Sequence, residues 1–193
     1  MKSVRIVLWA LVALALVGAG LLYWQKNYSD VDIGFSIGGP FTMTDTKGQV
    51  FTQANLKGKP YAMFFGFTHC PDVCPTTLWE MTTYLKQLGT DGDKLNVVFV
   101  GVDHERDTPE HLATYLSAFD DRMIGLSGTE RQIAEMAKAY RIYYKRSVND
   151  DDDVLYDHSA SIYLFEANGD FKSTIAQGEN PETALEKLKL LID

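Results

Sequence analysis

Residues 6–24 read IVLWALVALALVGAGLLYW, 19 positions without a charge, and this run divides the chain before any other feature is considered. As a helix it would rise about 28 Å at about 1.5 Å per residue, enough to span the hydrocarbon of a bilayer. Lys2 and Arg5 precede it, whereas Lys26 beyond it is outweighed by Asp30 and Asp32, so the positive-inside rule puts the N-terminus in the cytoplasm and the rest outside. Gly18 and Gly20 would also suit a cleaved signal peptide, but the apolar run continues past them to Tyr23 and Trp24, which fit an interfacial aromatic belt. The expectation is a retained signal anchor over 1–24, a linker over 25–40 and a folded domain over 41–193. No Arg/Ser-rich amphipathic stretch precedes the run, which favours a single pass through a bacterial inner membrane, with the C-terminal domain in the periplasm.

Within 193 residues, 46% hydrophobic and 12% aromatic content suffices for one packed core. The formal net charge is −8, and because Lys2 and Arg5 lie before the apolar run, the domain after it is more acidic still. That balance excludes nucleic acid as a partner for this face.

Hydrophobic period and turn residues give the order of elements. Residues 41–44 and 49–52 flank Asp45-Thr46-Lys47-Gly48 as a hairpin, and 61–65, YAMFF, is short and apolar enough for a buried strand. Leu78, Met81, Leu85 and Leu88 share a helical face, with Pro75 at the first helical position and Gly89 as the stop. Residues 95–102, LNVVFVGV, form the clearest central strand; helices follow from Thr108 to about Phe119 and from Thr129 to about Tyr140, with a short strand at 123–126 between them. Strands at 161–165 and 171–176 and a helix from Pro181 complete the order β-hairpin, β-α-β-α-β-α-β-β-α. This predicts an α/β, thioredoxin-like fold, a mixed central sheet flanked by helices with an extra N-terminal β-hairpin.

Cys70 and Cys74 are the only cysteines, and they stand between a buried strand and a helix start. A helix N-terminus favours thiolate over thiol, and activated sulfur serves metal binding and disulfide exchange alike. A structural disulfide is the plain alternative, yet three intervening residues close too short a loop to stabilise much. Thioredoxin-type enzymes usually separate their cysteines by two residues, which weakens the oxidoreductase reading without removing it. Two thiolates and one imidazole suit copper as Cu(I) or Cu(II), or zinc with a fourth ligand.

The third ligand must come from four histidines. His111 lies within a predicted helix among polar residues and reads as solvated; His69 adjoins Cys70, but a neighbour in an extended segment points the other way. His104 follows the central strand and His158 precedes the strand at 161–165, and spacing leaves these two level. Asp72 reads as a turn or cap residue, Arg106 and Asp107 as braces of the turn before Thr108, and Asp150 to Asp153 as a solvated acidic loop able to steer a cation or dock a basic partner.

Three segments, GFTHCPDVCP at 66–75, VDHERDTPE at 102–110 and YDHSASIYLF at 156–165, resemble the signatures of the Sco/SenC copper chaperones, in order and across the domain. The resemblance implies a single-pass anchor carrying a thioredoxin-like domain, and copper bound by Cys70, Cys74 and His158, which breaks the tie with His104. It further implies delivery of copper to the dinuclear site of cytochrome c oxidase subunit II, with an upstream copper donor and a thiol reductant in the periplasm. His104 departs from the family's VDPxRDTP pattern and reads as a surface residue or an auxiliary donor. Three functions remain in view: a metallochaperone, a thiol-disulfide oxidoreductase using Cys70 and Cys74 on that copper site or on other periplasmic proteins, and a peroxidase of the peroxiredoxin type, for which no peroxide pocket is evident.

Overall fold

The computed structural model describes residues 37–149 and 153–193, together with residues 5, 6, 9, 11, 12 and 14–20. Residues 1–36 and 37–193 are separate compact units. In the first, the described residues are helical. Among the described residues no helix is long and apolar enough to cross a membrane, and the predicted span at 6–24 lies partly outside them. Positions 25–36 of the predicted linker and 150–152 of the acidic loop also lie outside them.

The domain is built on β3 (Tyr61–Gly66) and β4 (Asn96–Gly101), parallel and in register from Tyr61 opposite Asn96 to Gly66 opposite Gly101. Every residue of β3 is buried, the mark of a strand covered on both faces. β5 (Met123–Ser127) extends the parallel set beside β4. The hairpin of β1 (Thr42–Asp45) and β2 (Val50–Thr52) adds antiparallel beyond β5; β8 (Ile162–Phe165) and β9 (Phe171–Ile175) add antiparallel beyond β3. The order is thus β2-β1-β5-β4-β3-β8-β9.

Four α-helices bury apolar stripes in this domain: α1 (Val73–Leu88), α2 (Pro109–Leu116), α3 (Glu130–Ala139) and α4 (Pro181–Ile192). Their starts follow from local chemistry. The Thr108 hydroxyl accepts from the His111 N–H with Pro109 following, Thr129 and Gln132 form a reciprocal capping box, and Asn180 accepts from Glu182 and Thr183 ahead of Pro181. The mixed α/β sheet with its N-terminal hairpin therefore matches the expectation.

Three details differ. Helix α1 begins at Val73, which makes Pro75 the third helical residue; its missing N–H costs nothing there, because the first turn has no intrahelical acceptors. Helix α2 ends at Leu116, short of Phe119. The third is an additional ribbon, β6 (Tyr144–Val148) antiparallel to β7 (Val154–His158), which forms its own two-stranded sheet. His158 is consequently the last residue of β7, paired with Tyr144, and not a loop residue held by the strand that follows.

Candidate metal centre

Strand β3 ends at Gly66, the chain turns with the Cys70 N–H donating to the Phe67 carbonyl at 3.2 Å, and α1 starts three residues later. Asp72 occupies the N-cap position but makes no capping bond with its side chain. Instead the Cys74 N–H, one of the unpaired donors of the first turn, points at Cys70 Sγ at 3.4 Å. A sulfur at a helix N-terminus thus takes the role a capping oxygen would have.

Cys74 is fully buried in the first turn of α1, and Gly66 makes room for it: a Cβ at residue 66 would come within 2.8 Å of Cys74 Sγ and 2.9 Å of Phe99. Cys70 is half-buried, and neither cysteine is joined in a disulfide. His158 completes the group, its Nε2 lying 3.4 Å from Cys74 Sγ. Its Nδ1 lies 3.0 Å from the Ser159 carbonyl, which can only accept, so in the neutral ring Nδ1 carries the proton and Nε2 presents its lone pair to the sulfurs. Phe64 and Phe67 meet the imidazole edge-to-face at 5.8 and 5.9 Å and fix its plane.

The ligating atoms of Cys70, Cys74 and His158 all lie within 4.8 Å of one another. Cys70 and His158 line a depression of about 310 Å³, bordered also by Pro71, Asp72, Leu155 and Tyr156, with Cys74 buried behind them. A depression of about 480 Å³ beside Thr42, Gln53 and Arg131 is larger but holds no thiol or imidazole.

Electrostatics divide the two sulfurs. The hydrogen bond from the Cys74 side chain, helped by those from the Cys74 and Asp72 backbone, lowers the Cys70 pKa to about 3 against the opposing effect of burial. Cys74 moves the other way, raised by that same bond and by its own burial. The resting pair is a Cys70 thiolate beside a Cys74 thiol.

The other predicted residues sort clearly. His104 is exposed and belongs to neither of the two groups of potential metal ligands among the described residues. His111 is exposed, as expected, but its ring stacks on His69 with centroids 5.5 Å apart. His69 sits in a turn rather than an extended segment, and forms the second group with Asp103 and Asp107. Asp107 does brace its turn: it is buried, accepts from the Thr68 N–H and hydroxyl at 3.1 and 2.7 Å, and its pKa is raised by burial. Sequence reasoning passed over Asp103, which is wholly buried and ion-paired with Arg106; the available signal was an acid closing a central strand three residues before an arginine.

The SCO1/SenC family model matches residues 30–193. ScoI of Bradyrhizobium japonicum, solved with copper bound, superposes with a TM-score of 0.75 at 47% identity, covering 81% of this chain and 99% of that one. A SCO2-like protein of Rickettsia conorii is 35% identical over 90% of this chain and 91% of its own length. Mitochondrial SCO2 of Saccharomyces cerevisiae is 40% identical over 80% of this chain, which spans about half (52%) of the yeast protein.

Proposed function

The chain belongs to the SCO1/SenC family, and from that premise we propose that it is a membrane-anchored periplasmic metallochaperone that binds copper through Cys70, Cys74 and His158 and delivers it to the dinuclear site of cytochrome c oxidase subunit II. The Sco family is one of cytochrome c oxidase assembly proteins. The observation that carries the reading is the convergence of two sulfurs and one imidazole nitrogen within 4.8 Å at the mouth of a depression. Thiolate with imidazole is a soft donor set that takes copper and leaves a position open for an incoming ligand. Copper structures of relatives, from Bradyrhizobium and from Arabidopsis thaliana at 33% identity, support the choice of metal.

Transfer follows from the same geometry. Cys70 is already ionised, Cys74 releases its proton as it binds, and the partner's thiolates enter from the open side where Cys70 is half-exposed. Anchoring rests on the apolar run at 6–24 and the charges flanking it. It keeps the site at the membrane surface, where an upstream copper donor and a thiol reductant must also reach it.

Anaerobic titration of the reduced protein with copper tests this reading, comparing wild type with His158→Ala and His104→Ala. One copper per chain, weakened by His158→Ala and not by His104→Ala, is the expected result; wild-type affinity in His158→Ala for both Cu(I) and Cu(II) overturns the ligand set.

The asymmetry of the sulfurs supports a second reading, reduction of a partner disulfide. Cys70 thiolate attacks one partner sulfur and expels the other as thiolate; Cys74, after losing its proton, attacks Cys70 Sγ and releases the second partner thiolate, so two electrons pass from the pair to the partner. Exchange with an oxidised fragment of the oxidase copper site separates this reading from delivery alone.

A further inference from the structure

His158 stands on a ribbon that the seven-stranded sheet does not include, so its position depends on whatever fastens β7 to the body of the domain. Tyr156 and His158 are two residues apart on a strand and project from the same face, where Phe67 meets both rings, at 5.5 and 5.9 Å. Ring contacts of this kind restrain a plane but resist sliding poorly. Polar ties supply the rest. Arg106, in the turn after β4, ion-pairs through Nε with Asp103 and donates from Nη2 to the Val154 carbonyl at 2.7 Å. Tyr156 donates its hydroxyl to the same Asp103 at 3.4 Å. Asp103 is itself held at the end of β4 by the backbone N–H groups of Glu105 and Arg106. One buried acid and one arginine therefore grip β7 at the residues four and two positions before His158.

Resting on the reading of His158 as a copper ligand, we propose that Arg106 is a positioning residue for that imidazole, a latch between β4 and β7 that holds the third ligand against the two sulfurs. A guanidinium fork suits this task because it donates to a carboxylate and a carbonyl at once, in a fixed plane. A lysine ammonium keeps the ion pair and loses that fixed geometry. Groups that orient a metal ligand typically contribute 10–100-fold to affinity without touching the metal.

The test is a double-mutant cycle on the full chain in detergent, reduced and anaerobic, titrated with copper alone. Arg106→Gln is expected to weaken copper by about 10–100-fold and to diminish the nitrogen coupling in the Cu(II) electron paramagnetic resonance spectrum. In a His158→Ala background the same substitution is expected to change affinity by less than about twofold, because coupled residues are not additive. Arg106→Lys falls between. Wild-type affinity and nitrogen coupling in Arg106→Gln overturn the latch, as does an equal loss in both backgrounds, which marks a general loss of structure. Should Arg106→Gln not fold, Arg106→Lys carries the test, and wild-type affinity there overturns it. Weakening by His158→Ala but not by either Arg106 variant sinks this inference and leaves the ligand set standing.

Discussion

Among the described residues two groups of side chains satisfy the same distance requirement for holding a metal ion, Cys70 with Cys74 and His158, and His69 with Asp103 and Asp107. Their surroundings differ. In the first, a thiolate and an imidazole nitrogen carry lone pairs toward a common point beside an opening. In the second, the carboxylates are already engaged: Asp107 accepts from Thr68 twice and from the Asp103 N–H, and Asp103 pairs with Arg106 and accepts from Tyr156. Thr68, having given its hydroxyl proton to Asp107, accepts from His69 Nδ1 at 3.1 Å. Proximity alone thus does not make a site; uncommitted lone pairs do. The first group is the one proposed to bind copper, and the second braces the loop and the ribbon that carry the first.

Removing one donor from each group gives the largest contrast. Cys74→Ser is expected to lower copper affinity more than about 100-fold, beyond the loss of any merely supporting partner, while leaving denaturant unfolding within about 1 kcal/mol of wild type. Asp103→Ala strands Arg106 and removes the anchor of β7, and is expected to cost about 3 kcal/mol of stability. A stability loss in Cys74→Ser larger than in Asp103→Ala reverses the assignment of roles.

The paired glycines sharpen the same contrast at smaller scale. Gly66 and Gly101 are register partners at the ends of β3 and β4, and a Cβ at the first meets Cys74 Sγ at 2.8 Å while one at the second meets the Asp107 side chain at 2.8 Å. Both alanine substitutions overpack a buried site and are expected to cost about 1–3 kcal/mol. Gly66→Ala moves a ligand and weakens copper directly. Gly101→Ala presses on the brace and affects copper less, which titration of both variants alongside thermal unfolding measures.

Much of this was legible in the sequence, and what was not has identifiable causes. The buried strand at Tyr61, the caps at Thr108 and Thr129 and the cysteines at a strand-to-helix junction are local signals, and the structure reproduces them. The start of α1 was misread because Pro75 is a strong marker, whereas a Cys70 sulfur that accepts from the Cys74 N–H in place of a capping oxygen leaves no sequence signature. The β6–β7 ribbon escaped because Lys145, Arg146 and Val148 are all exposed, so no apolar alternation announces a strand. His158 and His104 stood level by spacing, since the pairing that brings His158 to Cys74 spans 84 residues; motif resemblance separated them.

Proton release gives the smallest effect and the most direct view of the difference between the sulfurs. With Cys70 held at about 3 and Cys74 raised, the pair at neutral pH carries one thiolate and one thiol proton. Copper binding then displaces the Cys74 proton alone, so affinity rises with pH by about tenfold per unit around neutrality and falls as pH drops. Because the Cys70 thiolate persists until pH approaches about 3, alkylation of the copper-free protein at neutral pH modifies Cys70 well before Cys74. Titration in weak buffer at neutral pH is expected to register one proton per copper. Two protons per copper, with equal alkylation of both cysteines, means that the helix terminus and the neighbouring thiol do not ionise Cys70, and removes the asymmetry on which the disulfide-reducing reading depends.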